Sequence, residues 1–263
     1  MTKYHKLGLA AAIAMMLGST ALAADVSPLV MPQTAPEDST EDWSFAASPY
    51  FWGAGLSGKV SQFGLPTIKV DSSFSDIFQN LDFAFMGAAE LRHERFSVIG
   101  DFMYIKLSAD ADTPFGLLTK EVDVQSETVT GLLGVGYAVL DGDRGHLDVV
   151  AGIRVWSVDT TISLNGGFLD GRSTSDGATW VDGMGGFRGK YALTEEWFIS
   201  GWGLVGTGGA NVDWDVAANI GYQFNDTISA VAGYRALGVN YRNDGFVFDT
   251  VQQGPILGMT VKF

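Results

Sequence analysis

The sequence has 263 residues, and its composition excludes several classes of protein. Acidic residues number 30 against 16 basic ones, so the net charge is −14. This disfavours nucleic acid as a partner, because binding phosphates needs a positive surface. Cysteine is absent, which excludes a disulfide framework, a thiolate metal site and a cysteine nucleophile. A hydrophobic content of 46% excludes a disordered chain, since there is ample apolar surface to bury.

The first 23 residues have the three parts of a secretory signal peptide. Lys3 and Lys6 precede an apolar run over 7–17, and Ala21 and Ala23 form a small-x-small cleavage site. The apolar run is too short to cross, as a helix, a bilayer core of about 30 Å. The sequence therefore predicts export through the inner membrane, with removal of residues 1–23.

Residues 24–42 combine prolines with acidic side chains and show no periodicity. Such a composition predicts a flexible, acidic tail on the periplasmic side. The tail can be read either as a plain linker or as an interaction segment. The next segment, 43–263, is expected to be one β-barrel domain.

In that domain, apolar residues recur at every second position. Within 82–92, Phe83 and Phe85 lie on one face, while Glu90 and Arg92 lie on the other. The alternating segments exceed the usual strand length of about 5–6 residues in soluble proteins. Strands that cross an outer membrane turn their apolar face to lipid and their polar face to a lumen. The pattern therefore predicts an all-β fold, a closed antiparallel transmembrane barrel.

About ten strands are expected, with eight also compatible with the pattern. They cover 43–56, 82–92, 96–108, 121–140, 146–163, 179–192, 197–206, 213–224, 227–242 and 246–263. Their connections alternate between long loops, 57–81, 109–120, 164–178 and 207–212, and short turns, with 243–245 as a short exception. Long loops on one side and short turns on the other are typical of outer-membrane barrels.

Two local features modify this simple pattern. Phe74, Ile77 and Phe78 have helical spacing, so one short helix is predicted over 73–81 in the first long loop. Pro49 and Pro255 lie inside the first and last strands. Proline cannot donate to a strand ladder, so each position predicts a bulge or an end of pairing.

Aromatic residues gather near the short turns. Tyr137, Tyr191 and Tyr222 each precede a short turn, and Trp197 lies at the same predicted level. Tyr and Trp favour the membrane–water interface, because one part of the ring system is apolar and another part is polar. We interpret these residues as an inner aromatic girdle.

Ten charged side chains are expected to face the lumen by the same alternation. They are Glu90, Arg92, Asp101, Asp148, Arg154, Asp182, Arg188, Lys190, Arg235 and Lys262. Both signs are present, and pairing is expected because unpaired charges in a narrow interior are costly. The set can be read as a structural plug or as a selective constriction in a narrow channel. Ten strands are close to the size at which side chains fill the interior, which favours a plug or narrow pore over an open porin.

Over 47–263 the chain resembles a family of small outer-membrane β-barrel proteins of alphaproteobacteria. The resemblance is carried by segments 48–52, 80–87, 147–154, 231–235 and 254–258. It implies a barrel in the outer membrane of a Gram-negative bacterium, but it brings no catalytic or binding residues that can be transferred. More distantly, the architecture is similar to the small barrels of the OmpA and OmpX type.

The last residues resemble an assembly signal. Leu257, Met259, Val261 and Phe263 alternate with polar or small residues, and the final residue is aromatic. This resembles the C-terminal signal that the barrel assembly machinery reads. The partners implied are this machinery, outer-membrane lipid and lipopolysaccharide, with the oligomeric state left open.

No catalytic residue, cofactor site or metal site is predicted. Known barrel enzymes use a histidine at the outer rim, whereas His93 and His146 lie at predicted short turns and His5 lies in the signal peptide. The G-x-G-x-x-G pattern over 201–206 leads into another strand rather than the helix that a dinucleotide site needs.

Three functions are therefore carried forward from the sequence. The first is an integral outer-membrane barrel that is structural or forms a narrow, porin-like passive channel for small solutes. The second is a surface binding or adhesion barrel that acts through loops 57–81 and 164–178. The third is an outer-rim enzyme that modifies lipid A or cleaves proteins, which the histidine positions disfavour.

Overall fold

The computed structural model describes residues 43–112 and 121–263. The predicted signal peptide, its cleavage residues Ala21 and Ala23, and the predicted tail over 24–42 lie outside the described residues. Most of the predicted loop 109–120 also lies outside them. Within the two described ranges, no helix has both the length and the apolar content needed to cross a bilayer.

The described residues form twelve strands and one short α-helix. The strands are β1 (Trp43–Trp52), β2 (Gly55–Ser61), β3 (Ile68–Ser72), β4 (Leu81–His93), β5 (Phe96–Asp112), β6 (Glu121–Gly142), β7 (Gly145–Asn165), β8 (Arg172–Ala192), β9 (Trp197–Gly208), β10 (Val212–Gln223), β11 (Ile228–Asn243) and β12 (Phe246–Lys262), and the helix is α1 (Phe74–Gln79). Adjacent strands pair antiparallel throughout.

Ten of these strands close into a ring. The order runs from β1 to β4 and then in sequence to β12, which pairs back with β1. This confirms the predicted closed antiparallel barrel and settles the strand number at ten rather than eight. The two remaining strands, β2 and β3, extend the sheet beside β12 at the long-loop end.

The first long loop contains more structure than the sequence predicted. The interpretation of 57–81 as a loop with one helix was wrong in part, because β2 and β3 form a hairpin there. Strand β2 continues the path of β1 along β12 in the same register, since Trp52 is opposite Ile256 and Gly55 is opposite Gln253. At Gly58, φ is +153° and a Cβ would lie 2.2 Å from the Asp249 carbonyl oxygen, so glycine permits this approach.

Helix α1 occupies the predicted position. Its N-cap is Ser73, whose hydroxyl accepts a hydrogen bond from the Asp76 backbone N–H, while the Asp76 carboxylate accepts from the Ser73 N–H. This capping box satisfies two backbone donors that the short helix would otherwise leave free. The helix ends at Gln79, two residues before β4 begins, so the predicted end at residue 81 was slightly too late.

The predicted loop 164–178 was also wrong in most of its length. Strands β7 and β8 continue to Asn165 and from Arg172, so only 166–171 connects them. Pairs of hydroxyl side chains join the two strands: Ser157 to Thr179 and Thr161 to Ser175, each at 2.9 Å. The segment looked like a loop because hydroxyl residues occupy both faces and remove the apolar alternation.

The side chains point as the barrel interpretation requires. Phe85 and Ile153 are 54% and 50% exposed on the outer surface, whereas Arg154 is 1% exposed inside the ring. Near the short turns, aromatic rings pack in pairs on the outside, with 5.1 Å between the ring centroids of Trp197 and Tyr222. The outer surface is thus an apolar belt with aromatic residues at one edge.

Of the two alternatives predicted at the prolines, a bulge or an end of pairing, the structure shows no bulge at either. Ala47 is opposite Val261 and Tyr50 is opposite Gly258, so the register of β1 against β12 is unchanged on the two sides of Pro49. The ladder is instead interrupted at this point. Pro255 lies opposite the break between β1 and β2, and its carbonyl accepts from the Gly53 N–H at 2.9 Å.

Candidate functional site in the barrel lumen

The lumen is filled in layers, and strand β7 shows their order. From the short-turn end, its inward side chains include Asp148, Val150, Arg154 and Trp156, all of them buried. Neighbouring strands place similar residues at the same levels, because Asp148 is opposite Arg188, Arg154 is opposite Asp182 and Trp156 is opposite Trp180. The interior therefore contains a charged mouth, an apolar lumen layer, a central ion network and an aromatic layer.

The charged mouth lies next to the short turns. Arg92 forms ion pairs with Glu90, at 2.9 Å, and with Asp148. Arg188 pairs with the second oxygen of Glu90. These four predicted lumen charges are thus brought together in one cluster, in which each carboxylate has a guanidinium partner.

His146 completes a group of three potential metal ligands at this mouth. Its imidazole, Glu90 and Asp148 each offer a donor atom within 4.8 Å of the other two. Both carboxylates, however, already receive the guanidinium groups of Arg92 and Arg188. Two positive charges at this position would repel a cation, so the geometry is that of an ion-pair cluster.

The other two predicted charges at the mouth are lysines. Lys190 and Lys262 line the same cavity. The Lys190 ammonium lies 3.9 Å above the ring centre of Phe198, a cation–π contact. Among the ion pairs of the described ranges, none includes either lysine.

The central network is built around Asp215. One of its oxygens accepts from Arg154 and Arg235, each at 2.7 Å, and the other accepts from Arg235 at 3.1 Å and from the Trp202 indole at 2.8 Å. Arg235 is 2% exposed and Asp215 is 1% exposed. Full burial of these charges is tolerated because all of them have charged hydrogen-bond partners.

The network extends to both sides of Asp215. On one side, Arg154 donates to Asp213 at 2.6 Å. On the other, Arg235 donates at 3.0 Å to Asp101, which also accepts from the Tyr50 hydroxyl at 2.9 Å. The structure thus joins the predicted residues Asp101, Arg154 and Arg235 through residues that the sequence interpretation did not include.

Asp213 and Asp215 were missed although a signal for them exists. They occupy alternate positions in β10, with the outward-facing residues Trp214 and Val216 following them. The rule that identified the other lumen charges would have placed both inside. Tyr50 carries no such signal, because an aromatic residue fits either face of a barrel strand.

Asp182 is the predicted acidic residue that joins neither the cluster at the mouth nor the central network. It is fully buried, and one oxygen accepts from the Ala210 backbone N–H at 2.8 Å. Its other oxygen has no partner among the described residues. Arg154 lies opposite Asp182 but directs its guanidinium to Asp213 and Asp215 instead.

An aromatic layer closes the lumen toward the long loops. Trp180 stacks on Tyr241 with ring centroids 4.1 Å apart, and Trp156 stacks on Trp180 at 5.8 Å. Phe248 packs against both tryptophans at 6.2 Å. All four rings are buried and belong to one packed cluster, so they fill the lumen at their level.

One cavity of about 500 Å³ occupies the short-turn half of the lumen. It extends from Lys190 and Lys262 at the mouth to Asp215 and Arg235 at its inner end. Its walls are lined by the apolar lumen layer, which consists of Ile99, Leu132 and Leu204, and by hydroxyls of Ser48, Ser200 and Ser229. The cavity thus extends inward from the short-turn mouth and ends at the central network.

Comparison with known proteins supports the fold. No protein-family model matches the sequence, and neither does any curated protein. The outer-membrane protease OmpT of Escherichia coli superposes with a TM-score of 0.53, at 12% identity, over 85% of this chain and 98% of OmpT. The attachment invasion locus protein Ail of Yersinia pestis gives a TM-score of 0.37, at 13% identity, over 85% of this chain and 100% of Ail. At such low identity the likeness to OmpT concerns architecture alone: the chain has the fold of an outer-membrane β-barrel.

Proposed function

We propose that the chain is an integral outer-membrane barrel with a structural role, and that its lumen does not conduct solutes. The apolar outer belt and its aromatic edge support the membrane location, because such a surface is stable only against lipid. Short turns then face the periplasm and long loops face the medium. The same proposal includes export by the signal peptide and assembly through the C-terminal signal.

The filled lumen is the observation that carries the proposal against a channel. Any solute would have to separate the Arg154–Asp215–Arg235 network and then the Trp156–Trp180–Tyr241 stack. Removing one partner from a buried ion pair costs roughly 3–5 kcal/mol, so opening is rare at ordinary temperature. The structure therefore favours the plug over the narrow pore.

Conductance in planar bilayers tests this proposal. Folded protein, recognised by faster gel migration before boiling than after, is expected to give no single-channel steps. A matched variant with Arg154, Trp156, Trp180 and Arg235 changed to alanine removes the charged and aromatic layers and is expected to conduct if it folds. Regular steps from the unaltered protein would refute a closed lumen.

We also propose that the barrel is not an enzyme. His93 stacks on Trp43 at 4.5 Å beside a short turn, and His146 lies in the charged mouth. Both are thus at the opposite end from the long loops. Mass spectrometry of lipid A and of added peptides should show no new product in membranes that contain the barrel, and a product that disappears in a His146→Ala variant would contradict this.

Surface binding is the second candidate function, and one observation favours it. The β2–β3–α1 region exposes large apolar side chains, with Leu65 and Ile68 each 60% exposed. Phe78 on α1 is exposed as well. Large apolar side chains exposed outside the outer apolar belt favour a contact surface.

A triple variant with Leu65, Ile68 and Phe78 changed to serine tests this function. These side chains are exposed, so the barrel should fold normally. Cells with the variant should attach to surfaces less well than cells with the unaltered protein. Equal attachment at equal barrel abundance would reject the binding role.

Two finer attributions are proposals as well. We infer that the chain belongs to the family of small alphaproteobacterial barrels that it resembles, and that lipopolysaccharide surrounds its outer half. The proposed assembly signal includes Phe263, whose N–H donates to the Phe45 carbonyl at 2.8 Å and joins this segment to the closing strand pair. Deleting Phe263 should lower the amount of folded barrel in membranes, whereas an unchanged amount would speak against an assembly signal.

A further inference from the structure

The cavity at the short-turn mouth has more positive charge than its carboxylates balance. Five basic residues but only three acidic residues line it. Asp148, just behind, pairs with Arg92, and Glu90 pairs with both Arg92 and Arg188. With Asp148 counted, one positive charge remains in excess, and among the described residues all three arginines have carboxylate partners while the two lysines have none.

The two lysines border the cavity without ion-pair partners among the described residues. Lys190 rests over the Phe198 ring at 3.9 Å, and Phe198 itself is buried beneath it. Lys262 borders the same cavity from β12. Both side chains are exposed, and no ion pair of the described residues uses them, so their ammonium donors are available to an anion.

Deeper in the cavity the available surface is apolar. Ile99, Leu132 and Leu204 form one buried cluster, against which Trp202 packs. At the floor, both oxygens of Asp215 accept hydrogen bonds from arginine or tryptophan. The inner part of the cavity thus offers no free carboxylate, and it suits an apolar body better than a second charged group.

We propose that this cavity binds a small amphipathic organic anion. The carboxylate of the anion lies at Lys190 and Lys262, and the apolar body of the anion packs against the apolar lumen layer of Ile99, Leu132 and Leu204. The cavity volume of about 500 Å³ is within the range of roughly 300–1,000 Å³ usual for small-ligand sites. Entry from the periplasm follows only if the proposed orientation of the barrel holds, whereas binding itself does not depend on it.

Titration calorimetry on folded, detergent-solubilised protein tests the proposal with 2-naphthoate as the probe. Protein-free micelles give the baseline for partition into detergent. We expect saturable binding at one site and at least about tenfold weaker binding of 2-naphthol, which has the same rings without the charge. Affinity for 2-naphthoate should also fall as salt is added, because salt screens the lysines.

Two variants locate the site. A Lys190→Gln, Lys262→Gln double variant should weaken 2-naphthoate binding about tenfold or more, because each lost charged hydrogen bond is worth roughly that factor. Lys106→Gln is the matched control, since Lys106 lies on the outside and pairs with Glu127 at 3.3 Å. Leu204→Trp, which fills the cavity at the apolar lumen layer, should abolish binding.

Three results would overturn the proposal: no saturable heat with 2-naphthoate, equal affinity for 2-naphthol, or unchanged affinity in the lysine double variant. All three measurements are made in detergent on folded protein. They are thus independent of conductance and of membrane location. A barrel that conducts can still bind the anion, and a closed barrel can fail to bind it.

Discussion

A single buried carboxylate, Asp215, holds two arginines from different strands together inside the barrel. Arg154 on β7 and Arg235 on β11 both donate to it, so one side chain links strands that are not neighbours in the ring. Burying the three groups is costly, and the cost is recovered only while every partner is present. At the residue scale, stability therefore depends on completeness of the network rather than on its number of charges.

We predict a large loss of stability for Asp215→Asn. The change removes the shared negative charge and leaves two guanidinium groups close together, which should lower the free energy of unfolding by about 3–5 kcal/mol. Urea unfolding in detergent, followed by tryptophan fluorescence, measures this. Asp143→Asn in an exposed turn is the control and should change stability by less than about 0.5 kcal/mol. Equal effects of the two substitutions would disprove the argument.

The long strands contain a membrane-spanning part and a part that extends beyond the membrane, within one continuous sheet. Strand β7 has 21 residues and so spans about 70 Å, whereas a membrane crossing needs only about 9–11 residues. The part near the short turns is apolar on its outer face, whereas the remainder carries hydroxyl pairs on that same face. At the element scale, the side-chain pattern rather than the backbone marks where the membrane ends.

An arginine on the outer belt should therefore be costly only within the membrane-spanning part. Ile153→Arg places a charge near the middle of the belt and should destabilise the barrel by about 2–4 kcal/mol in lipid vesicles. Ile68→Arg on β3 is the matched control, because Ile68 is also an exposed isoleucine but lies beyond the outer apolar belt. Denaturant titration of both variants provides the comparison, and a costly Ile68→Arg would move the membrane boundary.

The capping box of α1 should respond to pH. Hydrogen bonds from the Ser73 hydroxyl, and then from the Ser73 backbone N–H, lower the pKa of Asp76 below its usual value of about 4. A lowered pKa means that the cap is fully formed above the usual value and is lost as the pH falls through the lowered one. The Ser73 amide resonance should titrate in that acid range, and it should stop doing so in Asp76→Asn but not in Asp71→Asn. A Ser73 titration that persists in Asp76→Asn would contradict the assignment.

The barrel formed by the described residues has two different ends. The short-turn end opens into a charged cavity, and the long-loop end is closed by aromatic rings and extended strands. This polarity predicts a fixed orientation in the membrane. Extended strands and loops should face the medium, while the cavity should face the periplasm.

The absence of cysteine from the sequence makes this orientation testable. Arg172→Cys at the start of β8 should react in intact cells with a maleimide that cannot cross the membrane. Glu195→Cys in a short turn should react only after the cells are broken. The reverse pattern would show that the barrel is inserted with the opposite orientation.

Much of this architecture could be predicted from the sequence because lipid imposes a strict alternation. The faces of Phe85, Glu90 and Arg154 followed directly from their parity within a strand. The hairpin of β2 and β3 did not, because it lies beyond lipid and Gly58 interrupts its side-chain pattern. The pairing of the charges could not be predicted from the sequence either, since Arg154 bonds to Asp213 and Asp215 across the lumen rather than to Asp182 beside it.

The junction between β1 and β12 has a mechanical consequence. Pro49 and Pro255 both lie on this junction, and the backbone ladder is interrupted at residues 48 and 49, where a hydrogen bond of 2.8 Å between the hydroxyls of Ser48 and Thr260 bridges the gap. Every other junction in the ring joins strands that follow one another along the chain, except that between β1 and β4, which spans the β2–β3 insertion. The barrel should thus open first between β1 and β12, into a sheet that keeps its remaining strand junctions.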